Sequence, residues 1–160
     1  QETIAYDGSA FVRRLDVDLA EGAEALIVES VLFGRLARGE SVRTGHFRDR
    51  WRVRVDGRPV HGEDLSIGPN IEVTLARRAV AGGGTAVATV LMLGSHVDDQ
   101  LDAARAIVGE DGGVSAWRVG PTGKLLARIV GKDGYSLRRR LVPLVELLNG
   151  KAGLPKVWSF

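Results

Sequence analysis

The sequence predicts a mainly β domain of the α+β type, with two helices near its C-terminal end. Turn dipeptides, Asp7-Gly8 and Asp56-Gly57 among them, separate strand-length runs rich in Val, Ile, Phe and Trp. Glycine-rich breaks at Gly82-Gly83-Gly84 and Gly120-Pro121-Thr122-Gly123 divide the second half of the chain into further short pieces. Apolar residues fall at helical spacing only beyond Val97. With 160 residues, 44% of them hydrophobic and 26% charged, the chain is long enough for a substantial core and is read as one domain over 1–160.

Residues 1–6 and 10–19 read as two strands of a hairpin turning at Asp7-Gly8. In the second, Phe11, Leu15 and Val17 alternate with Val12, Arg14, Asp16 and Asp18. Residues 25–33 form a short, almost wholly apolar run, as in a strand covered on both faces. A second hairpin turns at Asp56-Gly57, with Trp51, Val53 and Val55 on one face and Arg50, Arg52 and Arg54 on the other. A two-residue loop there sets Arg50 opposite Glu63 and Arg52 opposite His61, with a bulge near Gly62 restoring the apolar face. Residues 71–75 and 85–93 read as strands, and 115–119 with 124–130 as a last hairpin. Helices are expected near 98–108 and 136–149. The first has Val97, Leu101, Ala104, Ile107 and Val108 on one side, and the second has a Leu137, Leu141, Leu144, Leu148 stripe. Pro143 should kink the second helix, and Gly150 should cap it.

Composition removes several chemistries. Without cysteine there is no disulfide, thiolate metal cage or cysteine nucleophile in this chain. No apolar run approaches the roughly 18–20 residues of a membrane span, and no signal peptide opens the chain, so a cytoplasmic origin is expected. Gly123-Lys124 continues into Leu125, and Arg118 stands where a phosphate-binding loop needs its first glycine. The histidines His46, His61 and His96 make no recognisable nucleophilic triad. His61-x-Glu63 lacks the paired cysteines of a zinc deaminase.

Two features remain. Between Arg35 and Arg58 stand arginines 35, 38, 43, 48, 50, 52, 54 and 58 against Glu40, Asp49 and Asp56. A local charge of about +5, with Phe47 and Trp51 interleaved, suits either a solvated or protein-binding sheet face or an arginine-rich nucleic-acid surface. The other is Glu29, a lone carboxylate within the apolar 25–33 run. An isolated charge there needs a partner, because leaving water is costly. One reading is an ion pair with a nearby arginine such as Arg35. The other is a carboxylate on an internal wet passage that hands on a divalent cation, with oxygen and imidazole ligands suiting labile Ni²⁺.

The residues Gln1-Glu2-Thr3-Ile4, Glu29 ahead of Phe33-Gly34-Arg35-x-Ala37-x-Gly39-Glu40, and Phe47-Arg48-Asp49-Arg50-Trp51 leading to Asp56-Gly57 resemble the urease accessory proteins UreD, called UreH in some bacteria. Leu141-Val142-Pro143, Leu148-Asn149-Gly150 and Leu154-Pro155-Lys156-Val157-Trp158 resemble that family's C-terminal end. The resemblance runs over essentially all 160 residues. Members are longer on the N-terminal side, so an incomplete sheet with an exposed edge is expected. The resemblance implies a stacked-sheet, solenoid-like fold and a non-enzymatic maturation factor. Such a scaffold binds apo-urease, UreF and the GTPase UreG, and helps pass Ni²⁺ to urease, with no tightly bound cofactor and no role for nucleic acid or membrane. It makes Glu29, Glu63 and His61 candidates for a nickel passage, with Glu40 and Asp64 behind them. Arg35, Arg50, Arg52 and Trp158 are the candidate partner-binding residues.

Overall fold

The computed structural model describes residues 2–35 and 38–158. Gln1, and Ala37 of the Gly-Arg-x-Ala-x-Gly-Glu signature, lie outside the described residues. The architecture is mainly β, in three layers: a three-stranded sheet, a five-stranded sheet and a helical layer. The larger sheet has the order β1 (Thr3–Ala5), β3 (Ala25–Phe33), β6 (Ala86–Gly94), β8 (Thr122–Gly131), β7 (Gly112–Val119). The smaller has the order β2 (Ala10–Leu19), β4 (His46–Val55), β5 (Arg58–Ile67). Helices α1 (Ile71–Ala76), α2 (Leu101–Val108) and α3 (Gly134–Asn149) come after the early strands, the two longer ones toward the C-terminal end.

From β1 to β4 the chain changes sheet at every step, so β1 pairs parallel with β3, and β2 parallel with β4. This corrects the first expected hairpin. Asp7-Gly8 does turn the chain, but it carries it between sheets. The Asp7 carboxylate accepts from the Arg43 and Thr44 N–H groups at 2.8 and 2.9 Å, and Gly8 donates to the Thr44 carbonyl. The dipeptide's bonding is spent on a distant loop.

The Asp56-Gly57 hairpin forms, with Asp56 at φ 46° and Gly57 at φ 74°. Its register differs from the expected one. Arg50 faces Asp64, Trp51 faces Glu63, Arg52 faces Gly62 and Val53 faces His61, the shift falling between Val53 and Arg54. The extra residue is therefore Val60, two positions earlier than expected. Residues 71–75 are helical, not a strand. Thr74 bonds back to the Asn70 carbonyl through both its N–H and its hydroxyl, closing a helical turn right after the Gly68-Pro69 corner.

Both faces of β3 and β6 are covered. On one, Ala86, Ala88, Val90, Leu125, Ala127 and Ile129 pack against Leu137, Leu141 and Leu144 of α3 and Ala104 and Val108 of α2. Helix α3 starts in a capping box: Asp133 accepts from the Ser136 N–H, and the Ser136 hydroxyl receives the Asp133 N–H. The segment after α3 makes 3₁₀ turns at Gly150–Ala152 and Lys156–Trp158. No helix of the described residues is long and apolar enough to cross a membrane.

Candidate functional site

The candidate site lies between the two sheets. Side chains alternate along a strand, so β2, β4 and β5 turn residues of one parity inward. Most of these are apolar, but Arg13, Asp49, His61 and Glu63 share that parity. The larger sheet answers with Glu29, Thr89, Lys124 and Arg128. Arg13 pairs with Asp49 across β2–β4, and Glu29, Thr89 and Arg128 stand in one register row across β3, β6 and β8. These rows meet face to face. They divide the inter-sheet interior into two apolar clusters, one around Phe33, Phe47 and Ile67, the other around Trp51, Val53 and Leu91.

At the β1/β2 side, the Arg13 guanidinium forks onto Asp49 (Nε–Oδ1 3.1 Å, Nη2–Oδ2 2.7 Å) while Nη1 meets Glu29 Oε2 at 2.5 Å and the Thr3 hydroxyl at 3.2 Å. One cation thus serves two carboxylates from opposite sheets. The expected Arg35 partner is corrected: Arg35 is held by Glu40 beyond the end of β3, Nε to Oε2 at 2.7 Å and Nη2 to Oε1 at 2.6 Å. Burial pushes the Glu29 carboxyl above its ordinary value, Arg13 pulls it down and neighbouring Asp49 pushes it up again. The Glu29 side chain stays 28% exposed, because only the last three residues of β3 pair with β1.

At the β5/β8 side, Glu63 is ion-paired with Arg128 of the facing sheet, not with Arg50 as the expected register had it. Lys124, only 6% exposed, donates from Nζ to the Val60 carbonyl at 2.6 Å and lies 3.5 Å from His61 Nδ1 and 4.5 Å from the Trp117 ring centroid. An ammonium can only donate to an unprotonated Nδ1, so we assign the neutral His61 ring its proton on Nε2. That buried Nε2 has no hydrogen-bond partner among the described residues, nor has Trp51 Nε1. Burial, then the Lys124 charge, hold His61 below its ordinary pKa, and burial likewise lowers Lys124.

Of the other histidines, His46 is exposed at the start of β4, and His96 is exposed beside Asp99 at 3.3 Å. Among the described residues, no three His, Asp or Glu side chains converge as a metal cage. Phe47 and Trp51, read as possible base-stacking residues, are 1% and 0% exposed and belong to the interior. The arginines they interleave line the outer face of β4, already matched by acids or by backbone carbonyls. Arg48 forks onto Asp64 at 2.8 Å, Arg50 reaches the same carboxylate at 3.4 Å, and Arg54 lies 3.7 and 3.6 Å from Asp16 and Asp18. Arg52 donates from Nη1 to the Trp51 and Glu63 carbonyls at 2.7 and 3.0 Å. Trp158 is 6% exposed, packed with the helical core and covered by the Arg138 guanidinium 5.7 Å from its ring, so it offers no surface for a partner.

The family model for the UreD urease accessory protein matches residues 1–159. This chain belongs to the UreD family. It is 60% identical over 159 residues to the urease accessory protein UreD of Mesorhizobium japonicum, covering 99% of this chain and 57% of that protein. To UreD 1 of Brucella melitensis biotype 1 it is 56% identical over 159 residues, again 99% of this chain and 57% of the relative. To UreD 1 of Brucella anthropi the identity is 54% over 164 residues, 100% of this chain and 58% of the relative. The chain therefore spans a little over half the length of the curated relatives it matches.

Sequence reasoning singled out Glu29, His61 and Glu63 in this UreD-family chain but missed Arg13, Asp49, Thr89, Lys124 and Arg128. Their signal is parity: Arg13 lies in phase with Phe11 and Leu15, Asp49 with Trp51, and Lys124 and Arg128 with Leu126.

Proposed function

We propose that this chain forms part of a non-enzymatic, chaperone-like scaffold for urease maturation in the cytoplasm. In this reading it binds apo-urease together with UreF and the GTPase UreG, and assists delivery of Ni²⁺ to the urease active site. Family membership supports the general role. The observation that supports the finer one is the charged row between the sheets.

Desolvating each ion costs several kcal/mol, roughly, and apolar replacements of buried ion pairs are often neutral or stabilising. Three carboxylates and three cations held inside a sandwich that apolar residues could have filled therefore suit a use other than stability. Nickel is the cargo. Glu29 and Glu63 offer oxygen ligands of a kind that exchanges Ni²⁺ readily, and His61 adds an imidazole nitrogen once the ring proton leaves Nε2 and Lys124 releases Nδ1. Passage means that each carboxylate trades its guanidinium for the metal ion and takes it back. Lys124 repels a cation beside His61 while protonated, and burial lowers its pKa. Arg35, Arg50 and Arg52, on the outer surface, are the residues we assign to partner contacts.

The test is Glu29→Gln in the full-length protein, co-expressed with the urease subunits, UreF and UreG. Capture of the partners should be retained, while nickel content and activity of the urease fall several-fold. Unchanged nickel loading would remove Glu29 from the passage. Loss of partner capture as well would assign it to holding the sandwich together.

A further inference from the structure

The smaller sheet ends at β5, which pairs with β4 and with no described strand beyond it. The larger sheet extends further. On β7, Val114 is buried on the helix side, but Gly113, Ser115 and Trp117, which turn toward the smaller sheet, are exposed. The Lys124–Val60 and Arg128–Glu63 contacts fix β5 above β8, so β7 projects past it as a shelf. Over that shelf lies a shallow hollow of about 610 Å³ lined by Gly113, Ser115, Trp117, Leu126 and Arg128. It occupies the place of a fourth strand in the smaller sheet.

The free edge of β5 specifies what fits. The outward backbone groups of a sheet edge are completed by an extended chain, and on β5 that chain would replace the Glu63 Oε1 that now accepts from the Asp64 N–H at 3.1 Å. Pro59 and the bulge at Val60 prevent regular pairing at one end, so the usable stretch begins at His61. On an added strand, inward side chains recur at every second residue. They would face Trp117, then Ser115 with Leu126, then Gly113 with Arg128, matching the β7–β8 register. Trp117, 38% exposed, and Leu126 call for apolar side chains. Above Gly113 there is room, since a Cβ built there meets nothing within 4 Å. Two cations, Lys124 and Arg128, stand against Glu63 alone beside a neutral His61. That excess of one positive charge calls for a carboxylate.

We propose that the notch between β5 and β7 docks an extended segment of a partner polypeptide, added to β5 as a strand with apolar and acidic residues turned inward. The inference goes beyond the nickel-delivery reading and does not depend on it.

The probe is the peptide Glu-Thr-Val-Thr-Val-Thr-Glu, nearly symmetric so that strand direction does not matter. It is titrated into the ¹⁵N-labelled chain. Amide shifts should concentrate in 61–67, and slowed hydrogen exchange at Gly62, Asp64 and Ser66, whose N–H groups β4 does not use. The same peptide with lysine for both glutamates should bind at least ten-fold more weakly. Gly113→Trp and Ser115→Arg, both at exposed positions, should abolish binding with unchanged unfolding midpoints. Overturning results are unshifted β5 amides, equal binding by either variant, or a lysine peptide that binds as well. Protection of the Gly62, Asp64 and Ser66 amides, which point away from β4, without peptide would also overturn the proposal. Accompanied by dimerisation it would assign the notch to a second copy, and seen only in the full-length protein it would assign it to the rest of that chain.

Discussion

At the scale of residues, the interior of this sandwich is built on charges that answer one another across the sheets. A buried carboxylate announces that it needs a counterion, but the sequence does not say which. Arg35 lies six positions from Glu29, yet the chain leaves β3 at Gly34 and carries Arg35 to Glu40. Arg13 is distant in sequence and near in space, because β2 crosses to the other sheet. His61 provides a test of the opposite side of the row. Its folded pKa lies below the unfolded value of about 6.5. As pH falls through the unfolded value, the unfolded chain takes up a proton that the folded one resists, so stability present above that pH is lost. We expect the denaturation midpoint to fall between pH 7.5 and 5.5 more steeply in the parent than in His61→Gln, by up to about 1 kcal/mol. Equal slopes would show that His61 titrates normally in the fold. Glu29, whose raised pKa acts with the opposite sign, is common to both proteins and cancels from the comparison.

At the scale of elements, periodicity located most strands and the two longer helices, because each hides one stripe or face from water. It failed where a short apolar run served two states. Residues 71–76 are β-branched and aliphatic enough for a strand, but the corner at Gly68-Pro69 sets Asn70 where it begins a helical turn. The bulge at Val60 is a single residue of register, and a period of two does not report which residue is extra. Close approach between elements is equally hidden. Gly131, at the end of β8, lies under the first turn of α3, where a Cβ would come 2.6 Å from the Leu137 nitrogen and 2.8 Å from the Asp133 oxygen. Gly131→Ala should therefore cost roughly 1–3 kcal/mol by overpacking. Gly113→Ala, with open space above it, should change stability by no more than about 0.5 kcal/mol. Urea denaturation of the two variants checks the contrast, and equal effects would contradict the packing at α3.

For the whole molecule, the charged row replaces what would otherwise be one continuous apolar core between the sheets. Its energetic role is open to a double-mutant cycle. Arg128→Met alone leaves Glu63, 8% exposed, without its cation and should destabilise by about 2 kcal/mol. This is less than the roughly 3–5 kcal/mol of a fully buried pair, because the Arg128 side chain is 43% exposed. Adding Glu63→Leu should restore parental stability or exceed it by about 1 kcal/mol. A double variant as unstable as the single one would show that the pair is there to hold the sheets together. Nickel loading by the same double variant, in the full-length protein, reports whether stability and delivery separate.

By itself the sequence determined the strands and the two longer helices, though not the helical turn at 71–76, together with the apolar stripes, the turn at Asp56-Gly57 and the need of Glu29 for a partner. All of these are local: they arise from side-chain period, backbone conformation and the cost of an unpaired charge. Only the tertiary structure decided that β1 and β2 part into different sheets, that Arg13 serves Glu29 and Asp49 together, and that β7 outreaches β5. Those depend on which strands lie side by side, and strand order is set by packing between segments far apart in the chain, which no local pattern encodes.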